Sequence, residues 1–234
     1  MTVLTWLGHA GFLLESRGSK LAVDVWRRGP TWSRTDLSGL AVLALSHGHF
    51  DHAEDAPDIL KETGATGVAI FEVASWLQQN GVPSERAVGV NKGGTWTKDG
   101  WTLTMVDAVH SSGCPDGGTL VTGGEAAGWV IRTPDGEVVY HAGDTAVFGD
   151  IQLLRRLYRP EVALLPVGGH FTMGPREAAL AVELLGVRHV VPMHYGTFPI
   201  LSGTPRQLQD EVGPGVHVHE LQPGGRLDLA ALQA

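Results

Sequence analysis

Three histidines and three acids crowd the stretch LSHGHFDHAED, Leu45 to Asp55. Within it, His47-Gly48-His49-Phe50-Asp51-His52 follows directly on the apolar run LAVLALS. Residues two apart on an extended chain point to the same side, so His47 and His49 can reach one metal ion. Asp51 and His52 lie further round the turn, where they can face a second ion beside the first. Gly48 is expected to let the backbone turn tightly. The competing reading is a solvated loop before a helix, with Asp51 as its cap.

A two-metal site needs more donors, and the chain offers them in similar places. His110 follows TLTMVDAV, Asp144 follows EVVYHAG, and His194 follows RHVVP. Each stands where an apolar strand gives way to a turn. Ligands placed there converge at one edge of a sheet. Taken singly, a histidine after a strand is unremarkable; all of them together with the His-rich loop point to one site.

The elements that must position these residues are legible in the pattern of apolar positions. TVLTWLG, GFLLES and SKLAVDVW read as short strands, with SRGSK as a hairpin turn. LAVLALS reads as a strand buried on both faces. Helical signals run from Ala53 to Thr63 and stop at Gly64, then TGVAIFE reads as strand and VASWLQQNG as a short helix. Two hairpins follow, GTWTKDGWTLTMVDAV and GWVIRTPDGEVVYHAGD, turning at Lys-Asp-Gly and Pro-Asp-Gly. Beyond them VFGDIQLLRRLY, GPREAALAVELLG and TPRQLQDEV read as helices, alternating with EVALLPV, RHVVPMH and VHVHEL as strands. Pro175 suits a first helical turn and Gly186 a helix end. Each half runs from hairpins into alternating strands and helices, which predicts an α/β fold of two packed sheets with helices outside, in one domain over residues 1–234.

Composition bounds the function. The 234 residues are 43% hydrophobic, an ordinary content for a folded chain. A formal charge of −8 gives no basic footprint for nucleic acid or an anionic membrane. No apolar run is long enough for a membrane span, and the N-terminus lacks the basic-then-apolar pattern of a signal peptide. The single cysteine, Cys114, rules out an intramolecular disulfide and suits a reducing, cytoplasmic compartment. Nothing in the pattern sets the oligomeric state, and a homo-oligomer stays open.

With these residues in view, the chain resembles the metallo-β-lactamase superfamily, whose motif His-x-His-x-Asp-His stands here as His47, His49, Asp51 and His52. The family's later motifs match His110, Asp144 and His194 in order. WLGHAGF, NKGG, HSSG, HAGDTAVFGD, LLPVGGHFTMGP and PMHYGTFP are similar to its branch of metal-dependent hydrolases, related to ascorbate-6-phosphate lactonase and to the phospholipase D acting on N-acylphosphatidylethanolamine. The resemblance extends from about Leu4 to Pro199. It implies a four-layer αββα sandwich with the site at the edge of both sheets. It also implies a ligand assignment: His47, His49 and His110 on one ion, Asp51, His52 and His194 on a second, and Asp144 bridging. Such a pair of ions shares a hydroxide that attacks an ester, lactone or phosphodiester of a small molecule, anionic ones included. Imidazole and carboxylate donors suit zinc, and also manganese, iron or nickel.

The resemblance leaves some residues open. His170 stands where the branch is expected to carry a small amide or acid, and reads either as a substrate contact or general acid or as a loop residue near the site by topology alone. His9 and Asp24 read as partners that hold ligand histidines in one tautomer, or as core hydrogen-bonding groups. Asn91 and Lys92 could line the pocket and take an anion, or form an ordinary turn. His141 is expected to pack in its strand, and His189, His217 and His219 to be structural or exposed. Cys114 is not expected to be a nucleophile, since no activating base is evident. Two other readings compete with the hydrolase: a metal- or ligand-binding protein without turnover, and a nuclease, which the acidic charge disfavours.

Overall fold

The computed structural model describes residues 1–29 and 36–233. Its first half begins with two hairpins, β1 (Val3–Gly8), β2 (Gly11–Ser16) and β3 (Ser19–Val23), paired antiparallel. Arg17 and Gly18 link β2 to β3 with φ of 49° and 77°, the left-handed geometry of a two-residue hairpin turn. Next, β4 (Leu40–Ala44), β5 (Thr66–Ile70) and β6 (Ala87–Val90) are added in parallel. Parallel neighbours need crossovers, and helices supply them. α1 (Phe50–Ala53) and α2 (Ala56–Thr63) lie between β4 and β5, and α3 (Phe71–Gln79) lies between β5 and β6.

The second half repeats the scheme. β7 (Thr95–Lys98) and β8 (Trp101–Asp107) form a hairpin. A separate ribbon of β9 (Gly113–Asp116) and β10 (Thr119–Thr122) follows, then a hairpin of β11 (Ala127–Arg132) and β12 (Val138–His141). Strands β13 (Val162–Pro166), β14 (His189–Met193) and β15 (His217–Val218) extend it in parallel. Their crossovers hold α4 (Gln152–Leu157), α5 (Pro175–Leu185) and α6 (Pro205–Glu211). A last strand, β16 (Arg226–Asp228), returns to β1. The orders are β16-β1-β2-β3-β4-β5-β6 and β15-β14-β13-β12-β11-β8-β7.

The two sheets face each other across one continuous apolar core that includes Phe12, Leu43, Trp101, Trp129 and Leu164. Buried hydrogen bonds cross between them, from the Trp129 indole to the Leu45 carbonyl (3.1 Å) and from His141 Nε2 to the Ala10 carbonyl (2.9 Å). α3 covers β5 and β6 on one outside, and α5 covers β13 with α4 and α6 beside it on the other. The result is the αββα sandwich.

Local structure differs from expectation in several places, and β6 and β16 are strands that the sequence pattern does not mark. Helix begins earlier, at Phe50, and breaks before Ala56. Phe71 and Glu72 start α3 instead of ending β5, because β5 is already buried along its whole length and the chain turns back over it. The β9–β10 ribbon has no counterpart in the sequence reading. Its turn, Gly117-Gly118, has φ of 52° and 90°.

Strand direction positions the site. Pairing makes β1, β3 and β4 run one way in the first sheet, and β8, β12, β13 and β14 one way in the second. His9, Asp24, His47, His110, Asp144 and His194 each follow the carboxyl end of one of these strands. Crevices outside such ends are where open α/β sheets bind ligands.

Candidate metal centre

The loop leaving β4 delivers four of the seven ligand-type residues. Asp24, in left-handed backbone (φ 48°) beyond β3, accepts from the Ser46 amide at 2.8 Å and its hydroxyl at 2.5 Å. It also meets His52 Nδ1 at 2.9 Å. That contact occupies one nitrogen of His52 and turns Nε2 towards Asp144. Ser46 Oγ in turn lies 2.9 Å from His47 Nδ1, which leaves His47 Nε2 beside His49 Nδ1 at 2.9 Å. His49 is the N-cap of α1, so Asp51 falls inside the first helical turn and is not the cap. Gly48 acts by close approach more than by turning. A Cβ there would come within 2.5 Å of Cys114 Sγ, so only glycine lets β9 pack behind the loop.

The remaining residues close around this loop. His194, at φ 54° beyond β14, is fixed by its amide donating to the His9 carbonyl at 3.0 Å. Asp144 is 3% exposed, and its Oδ2 is approached by three imidazole nitrogens. His194 Nε2 stands at 3.0 Å, His52 Nε2 at 3.4 Å and His110 Nε2 at 3.6 Å. Ligand atoms of His47, His49 and His110 lie within 4.8 Å of one another on one side. Those of His9, Asp51, His52 and His194 do so on the other. All seven residues expected to be ligands are therefore gathered in one place.

The donor set suits cations. His52 Nε2, Asp144 Oδ1 and both ring nitrogens of His194 are buried with no hydrogen bond; the 3.0 Å approach of His194 to Asp144 lacks hydrogen-bond alignment. A buried polar atom left unsatisfied costs about 1–3 kcal/mol, and four in one cluster call for a positive partner. Electrostatics agree. Burial opposes charge on His52, yet the carboxylates of Asp144, Asp24 and Asp51 raise its pKa well above the ordinary value, drawing positive charge to that point. Burial would also raise Asp144, but the His194 and His52 imidazoles hold it well below the usual carboxylate range. Burial, then the neighbouring His52, pushes His47 well down and keeps it neutral, the form that binds metal.

His9 joins the site through its side chain. Nε2 lies 3.1 Å from Asp51 Oδ2, Nδ1 lies 2.9 Å from Thr197 Oγ1, and the ring sits 4.0 Å from that of His194. Burial lowers its pKa to about 4, although the Asp51 hydrogen bond works the other way. A neutral ring bridging a hydroxyl and a carboxylate holds Asp51 in one orientation. Of the two roles open for Asp24, holding a ligand histidine is the one the structure shows, through His52; His9 instead contacts the carboxylate of Asp51.

A cleft of about 570 Å³ opens over the cluster, with His49, Asp51, His110, Asp144 and His194 on its floor. His170 does not reach it. The side chain is exposed, its ring packs edge-on against Phe171 at 4.4 Å, and it borders a separate hollow beside Val147 and Glu177. Phe171 turns into the cleft in its place. Lys92 and Asn91 also stand off. The Lys92 ammonium is held by Asp107 (2.5 Å) and Glu125 (2.9 Å), and Asn91 Oδ1 accepts from the Lys92 amide in a local turn. Cys114 is buried, and desolvation pushes its thiol up to about 11, as an inert thiol requires. His141 packs between the sheets, and His189, His217 and His219 stack on one another at the far end of β14. The apolar walls of the cleft escaped sequence reasoning, because large apolar residues in loops look like core.

Residues 21–195 match a family of beta-lactamase superfamily domains, a span that contains all seven ligand-type residues and excludes His9. A metal-dependent hydrolase of Roseiflexus castenholzii is 45% identical over 233 residues, covering 95% of this chain and 96% of its own length. One of Koribacter versatilis is 43% identical over 225 residues, covering 94% and 95%. Among solved structures, a metallo hydrolase of the hyperthermophilic archaeon Ignicoccus hospitalis superposes with a TM-score of 0.85 at 35% identity and covers 97% of both chains.

Proposed function

The chain belongs to the beta-lactamase superfamily and is a metal-dependent hydrolase, and from that premise we propose a single-domain enzyme with a two-ion centre that cleaves an ester, lactone or phosphodiester of a small molecule. In this reading His47, His49 and His110 hold one ion, Asp51, His52 and His194 hold the other, and Asp144 lies between them. Zinc is the proposed metal, on the imidazole-rich donor set. The observation that carries the reading is Asp144 Oδ2 facing the Nε2 atoms of His52, His110 and His194, with a convergent group of donors on either side.

Two divalent ions bound there would lower the pKa of a shared water towards neutrality and stabilise negative charge developing on the attacked centre. The protein's own part is positioning and proton handling. Asp24 and Ser46 fix the rings of His52 and His47, and the Asp24 contact fixes which nitrogen of His52 faces Asp144. Asp51 is held well below the usual carboxylate range: burial acts upward, and His52 and His9 outweigh it. It therefore stays ionised and orients the attacking water by accepting its hydrogen bond, while so acidic a group is a weak base for the proton itself. His170 is left out of the chemistry, since it is exposed and its ring packs on Phe171 beyond the cleft. The test is a hydrolytic screen of metal-loaded protein across carboxylic esters, lactones and phosphodiesters, repeated with zinc, manganese, iron and nickel. Turnover that needs a divalent metal supports the reading, and tight metal binding with no turnover on any class favours a binding protein instead.

A further inference from the structure

Candidate ligands form the floor of the cleft over the centre. Its walls are apolar and come from separate segments: Phe50 at the start of α1, Leu120 on β10, Phe171 beyond β13, and Phe198 and Ile200 beyond β14. Phe50, Leu120, Phe171 and Ile200 are 47%, 70%, 54% and 49% exposed. Scattered exposed apolar residues need no explanation, but four around one opening mark a binding surface. Among the described residues lining the cleft, Ser111 is the one polar side chain apart from the candidate ligands, and none is a lysine or arginine. Lys92, the cation suggested by sequence, is tied to Asp107 and Glu125. Among the described residues a phosphate or carboxylate placed away from the reacting bond would meet no ammonium or guanidinium partner, on a chain whose net charge is −8.

Resting on the hydrolytic reading of the centre, we propose that the substrate is an uncharged carboxylic ester or lactone carrying an apolar acyl chain or ring, which lies between Leu120, Phe171 and Ile200. Water adds to the acyl carbon and the bond from that carbon to the leaving oxygen breaks. One water proton goes to the leaving oxygen, which departs as an alcohol or stays tethered in an opened lactone. The other is released as the acid product ionises. Leu120, Phe171 and Ile200 set specificity by burying the apolar group, while the floor does the chemistry.

The test uses the metal-loaded protein with p-nitrophenyl acetate, butyrate, hexanoate and octanoate, and with bis(p-nitrophenyl) phosphate. The proposal expects kcat/KM to rise roughly threefold per methylene until the walls are filled. It expects octanoate to exceed the phosphodiester. Leu120→Ser with Phe171→Ser should cut octanoate kcat/KM at least about tenfold and flatten the chain-length series while metal content holds. Either single change should do so in part. Leu157→Ser, at an equally exposed leucine remote from the cleft, should leave the series unchanged. Hydrolysis of acetate with no chain-length dependence overturns this assignment and leaves the hydrolytic reading intact. A double variant that dissociates an oligomer with an unaltered series overturns it too, and makes the patch an interface. Loss of hydrolysis on every ester by protein that holds its metals brings down the hydrolytic reading first.

Discussion

Strand β14 carries histidine clusters at both ends, and they differ in almost everything but residue type. At its amino end His189 stacks on His217 and His219, with ring centroids 5.2 and 5.3 Å apart and His189 Nδ1 3.0 Å from His219 Nε2. At its carboxyl end His194 meets His52, Asp51 and Asp144. The charges acting on His189 and His219 are those of the neighbouring imidazoles and, for His189, of Arg188. Burial first, then His217 and Arg188, lower His189, while burial and then His189 and His217 lower His219. At the other end three carboxylates reverse the sign and raise His52 against its burial. Among the described residues, three or more ligand atoms converge only at the carboxyl end. Histidine density does not make a metal centre. Buried carboxylates and converging strand ends do.

The largest test of that contrast is the removal of one carboxylate charge. Asp51→Asn keeps the shape but loses the anion that orients water, so kcat is expected to fall on the order of a thousandfold with circular dichroism unchanged. Near-normal turnover would remove Asp51 from the chemistry. Asp24→Asn is the next step down. The amide can no longer accept from both Ser46 groups and His52, so metal affinity or activity should drop about ten- to a hundredfold, as read by competition with a chelator. A variant indistinguishable from the parent would make Asp24 a core hydrogen-bonding residue only.

These two residues also show how unevenly the sequence discloses the site. Asp51 lies with His47, His49 and His52 in a motif whose residue types and spacing name the chemistry, and His110, Asp144 and His194 are legible because each follows an apolar strand. The alternation of hairpins and crossovers likewise reveals the two sheets. Asp24 and His9 were ambiguous. Their roles depend on left-handed backbone (φ 48° and 52°) at the ends of β3 and β1, and a linear pattern carries no sign of φ for residues other than glycine. The β9–β10 ribbon left a usable trace, since Asp-Gly-Gly-Thr at 116–119 is a hairpin turn signal. Its strands are four residues each, with Pro115 inside the first, too short to register as alternation. The cleft walls left none: Phe171 and Ile200 become a surface only when β13 and β14 lie side by side.

The smaller effects concern residues near, but outside, the centre. His170→Ala should change kcat by less than about threefold, because its exposed ring touches Phe171 and not the cleft floor. A loss of about a hundredfold or more, the range of general acid work, would bring it back into the reaction. The amino-end trio is expected to matter only for stability. His189 and His219 titrate below the ordinary 6.5 when folded, so on acidification the unfolded chain takes up protons first. Stability is therefore present above 6.5 and declines as pH falls through it. His189→Asn with His219→Asn should make denaturation midpoints at about pH 7.5 and 5.5 differ less than in the parent. Loss of metal from that double variant would dissolve the distinction between the two ends of β14.

The most direct measurement is the metal count. Elemental analysis of protein purified without chelator should give about two divalent ions per chain, falling to about one in His194→Ala. A persistent value of one, unchanged when His194 is removed, would contradict the two-ion centre at the carboxyl ends of the strands.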